Sequence, residues 1–251
     1  MEIVLLTAFG VGCATLIGVC IGFLFKNISH KFSDIIMSFS AGIMLSAAVF
    51  GLIQPSIEYG GQYGILYMVI GVLAGAIVLY LVDKAVPHLH KFVGIETEDH
   101  AKNTRASKVL LFVFAIAIHN LPEGIAAGVG FGTGNVNNAL VIAGGIAFQN
   151  IPEGIVIIAP MLLAGISKKR TFLYASLTGV VEVIGTLLGY FAVSISTAIL
   201  PFALAFAGGT MLYVISDEMI PETHAHGGQR GATFALLIGF CFMLVFDVLL
   251  G

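Results

Sequence analysis

The sequence predicts an all-α integral membrane protein: eight transmembrane helices with an inverted-repeat organisation and both termini outside. Three observations carry that expectation. Of 251 residues, 58% are hydrophobic and only 10% charged, with a mean hydropathy of +1.03, which a water-soluble domain of this size could not present to its solvent. The chain divides into eight apolar segments of roughly 20 residues, the length that crosses a hydrocarbon core. A polar heptapeptide recurs, once in each of two consecutive segments.

The first span, 3–25, follows Met1 and Glu2 with no basic stretch before it, so it reads as a membrane helix and not as a cleavable leader. The second and third are placed at 33–53 and 62–83. The longest break, about residues 84–107, is read as a cytoplasmic loop too short for a soluble domain. The fourth and fifth spans, 108–131 and 139–164, are joined by the short loop 132–138 and must run antiparallel. Spans at 171–196, 201–220 and 231–250 complete the chain, and 1–251 reads as a single transmembrane domain. Cys13, Cys20 and Cys241 fall inside spans without CxxC pairing, so they are read as small buried apolar residues rather than disulfide or thiolate sites.

All eleven Lys and Arg residues fall in or beside odd-numbered loops. Lys26 and Lys31 are in the first, Lys84, Lys91, Lys102, Arg105 and Lys108 at the third, Lys168 to Arg170 in the fifth and Arg230 in the seventh. Cytoplasmic loops collect these residues, so the odd loops face the cytoplasm. The third loop also carries His88, His90, Glu96, Glu98, Asp99 and His100, a mixture read as a solvated segment that can hold a metal only loosely. Nothing in this charge distribution points to nucleic acid.

The repeat is His119-Asn120-Leu121-Pro122-Glu123-Gly124-Ile125 and Gln149-Asn150-Ile151-Pro152-Glu153-Gly154-Ile155. Each copy sits near the middle of its span, and because the spans are antiparallel the two motifs meet at mid-depth from opposite directions, where transporters with inverted repeats place their substrate site. His119 and Glu123 are four residues apart, as are Gln149 and Glu153, so each pair projects from one helix face. One ion can then touch both pairs. Pro122 and Pro152 have no N–H and leave the carbonyls of Ile118 and Phe148 without their helical donors, while Gly124 and Gly154 remove bulk where helices or an ion approach closely.

An ionised Glu at the bilayer centre costs at least about 2.5–3.5 kcal/mol unless compensated. This chain has three, Glu123, Glu153 and Glu182, and no Lys or Arg near the middle of any span to neutralise them. A bound divalent cation is the simplest counter-charge. Imidazole with carboxylates and amide oxygens, and no thiolate, suits zinc, ferrous iron, manganese or adventitious cadmium, whereas calcium and magnesium favour oxygen alone. Neither HExxH nor an equivalent pair of close His ligands lies within a span, which argues against an intramembrane metalloenzyme, and the chain is read as a transporter and not an enzyme.

HNLPEG in the fourth span, QNIPEG in the fifth, a Glu in the sixth and eight spans with both ends outside resemble the ZIP family of zinc and iron importers over essentially the whole chain. The resemblance implies uptake of a divalent metal, zinc foremost with iron, manganese and cadmium as alternatives, into the cytoplasm. It also implies a homodimer and an inverted-repeat fold in the plasma (inner) membrane, with no cofactor beyond the transported ion. Carried over by position, His119, Asn120, Glu123, Gln149, Asn150, Glu153 and Glu182 form the transport site, Glu123 and Glu153 being placed to bridge two ions. Met44 matches a pathway thioether, and Asp34, Asp217, Glu218 and Asp247 match polar positions along the route, which Glu222 extends. Glu222, His224 and His226 fall on the cytoplasmic side, where an outgoing ion would arrive. Many members carry His or Asp where this chain has Gln149 and Asn150, which makes its site less anionic and points to the bacterial-type branch.

Overall fold

The structure is a computed structural model that describes residues 1–25, 29–85, 105–163 and 166–250. Among them it is helical throughout, without a strand. We number eight long helices: α1 (Glu2–Gly22), α2 (His30–Tyr59), α3 (Gly64–Ala85), α4 (Arg105–Gly130), α5 (Val136–Leu163), α6 (Lys168–Ile195), α7 (Thr197–His224) and α8 (Gln229–Leu250). Seven of them, all but α4, contain described segments long and apolar enough to cross a bilayer. The third-loop residues His88, His90, Glu96, Glu98, Asp99 and His100 lie outside the described residues, as does Lys26.

Two helices run well past the C-terminal ends that their apolar patterns predict. The sequence pattern ends the second and seventh spans at 53 and 220, yet α2 continues to Tyr59 and α7 to His224. The physical reason lies just before each boundary, where a π-helical stretch, Ala47–Ile53 or Ile215–Met219, precedes Pro55 or Pro221. A proline clashes with the carbonyl four residues back. Widening the preceding turn by one residue moves that carbonyl aside, so the helix continues through the proline. In α4 and α5 the helix also runs on through Pro122 and Pro152.

α1 packs on α5 and α6, α4 on α6, α2 on α8 and α5, and α3 on α7, with α4 also touching α5 and α7. Small and flexible side chains fill the centre, among them Ala41, Met44, Ala126, Ala127, Met211 and Met243. Turns from different parts of the chain gather at each end of the bundle. Lys168 Nζ lies 5.4 Å above the Phe23 ring and His226 meets Asp34 at one end, while Tyr59 donates to the Thr133 carbonyl at 3.0 Å at the other. Ser29 and Ser167 cap α2 and α6 at the first of these ends, accepting from the backbone N–H groups of Phe32 and Arg170.

The outward faces are apolar, as at Leu66, Ile70 and Leu73 of α3 and Phe234, Ile238 and Val245 of α8, which suits lipid as the surrounding medium. Cys13, Cys20 and Cys241 are free thiols on these outer faces, and not buried as the sequence predicts. Hydrocarbon removes the penalty that water would impose on an exposed apolar side chain, so sequence hydrophobicity does not separate core from lipid-facing positions in such a protein.

Candidate metal site

The site is set by close helix approaches. A Cβ added to Gly154 would overlap the backbone carbonyl of Thr15 in α1, and one added to Gly124 would overlap that of Glu182 in α6. Each glycine follows the Glu of its motif, so the absence of a side chain there lets α5 lie against α1 and α4 against α6. Glu182 is thereby carried in beside the two motifs.

Glu123, Gln149, Asn150 and Glu182 are all buried at 1% exposure or less. They bond across helices. Gln149 Nε2 donates to Glu123 Oε1 at 2.8 Å, and Asn150 Nδ2 donates to Glu182 Oε1 at 2.6 Å and to the Val11 carbonyl at 3.4 Å. The Ser40 hydroxyl of α2 donates to the Gln149 carbonyl at 3.2 Å. Glu123 lies within electrostatic range of both Glu153 and Glu182, and Glu153 within range of His119. Asn120 is buried beside them at 2% exposure.

The other half of each polar group is the informative half. Glu123 Oε2, Gln149 Oε1, Asn150 Oδ1 and Glu182 Oε2 are buried without a hydrogen-bond partner, and so are Thr15 Oγ1, Ser38 Oγ and Asp34 Oδ2. Every one is an oxygen. Leaving such a group unsatisfied costs about 1–3 kcal/mol, and a set composed of acceptors and hydroxyls is what a cation would satisfy. Among the described residues no three His, Cys, Asp or Glu side chains converge as a ready-made metal cage.

The remaining candidates divide between the centre and the ends of the bundle. His119 Nε2 lies 2.7 Å from Glu218 Oε2, so the imidazole reaches to the π-helical stretch of α7. Met44 is buried in the core one residue-pair short of the π-helical stretch in α2. Asp217 and Glu222 are exposed, and Asp247 is partly buried toward the far end of α8. Asp34, 4% exposed, meets His226 Nδ1 at 3.2 Å, and the His226 ring stacks on His30 with centroids 4.9 Å apart. His224 instead bonds the Ile220 carbonyl and the Thr233 hydroxyl. The sequence reading passes over Val11, Thr15, Ser38, Ser40 and His30. Serine and threonine are common in apolar helices, so only their depth and unmet bonding single them out.

Comparison with known proteins bears on the family. The family model described as ZIP zinc transporter matches residues 94–247. The chain is 39% identical over 246 residues to the zinc transporter GufA of Myxococcus xanthus, covering 96% of both chains. It is 34% identical to the zinc transporter ZIPB of Bordetella bronchiseptica, over 95% of this chain and 78% of that one. To the zinc transporter ZupT of Chlorobaculum parvum it is 35% identical, over 93% and 92%. A motif pair buried in a bundle of apolar helices, a family match across more than half the chain and relatives aligned nearly end to end converge: the chain belongs to the ZIP zinc transporter family.

Proposed function

We propose that this protein carries a divalent cation, zinc foremost, across the membrane into the cytoplasm through the mid-membrane cluster of His119, Asn120, Glu123, Gln149, Asn150, Glu153 and Glu182. The observation that carries this reading is the set of buried oxygens without partners, four of them on Glu123, Gln149, Asn150 and Glu182. In the ion-bound state Glu123 and Glu153 hold the cation from opposite helices, and His119 turns from Glu218 to add its nitrogen. Iron, manganese and cadmium share the ligand chemistry. Asp34, Asp217, Glu218, Glu222 and Asp247 serve the route, with Met44 packed beside it.

Inward movement follows from the one-sided Lys and Arg distribution and from the driving force. A membrane potential, negative inside, is worth about 2.3 kcal/mol per charge per 100 mV, so a divalent ion gains about twice that on entering. Ser38 and Asp34, with their unmet oxygens, lie on α2 between Ser40 and the lysine-bearing end. That stretch is the exit, closed where His226 meets Asp34.

The whole chain reads as one domain built as an inverted repeat, α1–α3 against α6–α8, with α4 and α5 exchanged. Two features support it. The packing pairs map onto one another: α1 with α5 corresponds to α6 with α4, and α2 with α8 to α7 with α3. At one constant sequence separation Gly12, Gly18 and Gly22 recur as Gly179, Gly185 and Gly189, and Gly42, Met44 and Leu45 as Gly209, Met211 and Leu212. In the membrane it functions as a homodimer with both termini outside.

The decisive experiment is zinc uptake by sealed proteoliposomes with Glu123→Ala, Glu153→Ala and the double variant. Each single change removes one of the two charged ligands that hold the cation from opposite helices. Uptake is expected to be nearly abolished in each single variant and little worse in the double, because effects within one ligand set do not add. Near-normal uptake in either single variant would show that the metal passes elsewhere.

A further inference from the structure

We infer that Thr15 of α1 is a specificity-determining residue of the central site: its hydroxyl holds the place that the Glu182 carboxylate holds in the other half of the chain, and its neutrality limits the metal the site takes up. The inference rests on the inverted-repeat reading above and deepens it. In the glycine register that relates α1 to α6, Thr15 stands three residues after Gly12, as Glu182 stands three residues after Gly179. The register is anchored in space, since Cβ atoms on Gly12 and Gly179 would each overlap the other's carbonyl oxygen.

Thr15 is 2% exposed, and its hydroxyl oxygen has no partner. A buried helical threonine normally satisfies itself. Thr171, Thr178, Thr186 and Thr210 all donate to a carbonyl three or four residues earlier in their own helices, the usual resort of a hydroxyl in an apolar helix. Thr15 does not turn back. It lies one turn beyond Val11, whose carbonyl accepts from Asn150, and its backbone carbonyl abuts Gly154. The hydroxyl therefore belongs to the wall that α1 presents to the motif helices, at the depth of Asn150 and Glu153.

Charge gives this position its consequence. With Glu at both related positions the centre would hold four carboxylates, enough to offset two divalent ions. With Thr15 it holds three, Glu123, Glu153 and Glu182, and a neutral hydroxyl that offers one lone pair to an ion or to a water on it. The side of the site that α1 walls is thus the weaker side. One ion is held firmly, and a second finds too little negative charge.

The test compares wild type with Thr15→Val, Thr15→Asp and Glu123→Ala, purified in detergent, by zinc titration and by thermal melting with and without zinc. Valine keeps the shape and removes the hydroxyl. Thr15→Val should melt higher than wild type without zinc, because an unpaired buried hydroxyl is gone, yet bind zinc about 3- to 10-fold more weakly. Thr15→Asp should take up one further zinc per chain. Unchanged zinc affinity in Thr15→Val, with binding lost in Glu123→Ala, would overturn the role of Thr15 while the central site stands. That outcome holds whether or not Thr15→Asp folds. Wild-type binding in Glu123→Ala would instead remove the central site itself, and the inference with it.

Discussion

Asn150 uses one amide nitrogen for both the Glu182 carboxylate and the Val11 carbonyl, which leaves its oxygen as an unmet acceptor at the centre of the bundle. Asn150→Asp would delete both donated bonds and set a second carboxylate against Glu182. Without metal the variant should melt lower than wild type; with zinc it should bind at least about 10-fold tighter, since an anionic ligand replaces a neutral one and relieves the repulsion. Equal zinc affinity in titrations of the two proteins would exclude Asn150 from the site. His119 carries a second prediction at this scale, because its nitrogen matters more to zinc than to manganese. His119→Ala should cut zinc uptake by a larger factor than manganese uptake in the same vesicles, and equal losses would remove the imidazole from the ligand set. These residues stood out as candidates in the sequence because polar and ionisable side chains are costly in a span. Their pairings were not: helical spacing joins His119 to Glu123 and Gln149 to Glu153, whereas the fold joins Gln149 to Glu123 and His119 to Glu218, contacts that depend on how separate helices are set in depth.

At the level of helices, apolar runs located every long element, and the two errors share one cause. Pro55 and Pro221 would end or kink a regular α-helix, but a π-helical turn before each lets the helix pass. Only the three-dimensional carbonyl positions reveal that. The glycines tell the reverse story, since Gly124 and Gly154 signalled close approach in the sequence and the fold places Glu182 and Thr15 backbone against them. The spacing shared by Gly12, Gly18, Gly22 and Gly179, Gly185, Gly189 was equally visible, though masked by the low information of glycine in apolar helices. Gly154→Ala should therefore lower stability by about 1–3 kcal/mol, as forced separation of α1 and α5 spoils their packing. Gly10 has open space around it, and Gly10→Ala should be neutral or stabilising by up to about 1 kcal/mol, from helix propensity alone. Thermal melting of the two variants in one detergent measures the contrast, and similar melting points would deny the glycine contact its structural role.

For the molecule as a whole, direction of transport depends on which end of the bundle faces the cytoplasm, and the sequence and the fold bear on this differently. The sequence places Lys and Arg in or beside odd-numbered loops only, the distribution expected of cytoplasmic loops. The fold supplies what that end contains: the α2 and α6 starts capped by Ser29 and Ser167, the Lys168 contact with Phe23, and the Asp34 and His226 pair that closes the proposed exit. The opposite end carries Tyr59 against Thr133 and the Gly134 turn, with backbone φ of 76°. Orientation can be read chemically in intact cells. With Cys13, Cys20 and Cys241 first replaced by alanine, single cysteines at Gly61 or Gly134 should react with an impermeant thiol reagent added outside, and a single cysteine at Lys102 should react only after the membrane is opened. Gly134 is suited to this because a Cβ there meets no atom within 4 Å, although its left-handed backbone will strain slightly to accept a side chain. If Lys102→Cys labels from outside and the other two do not, the lysine-bearing end faces outward. The Asp34 and His226 pair would then guard an entrance, and the inward driving force would act on an ion arriving from the other end of the path.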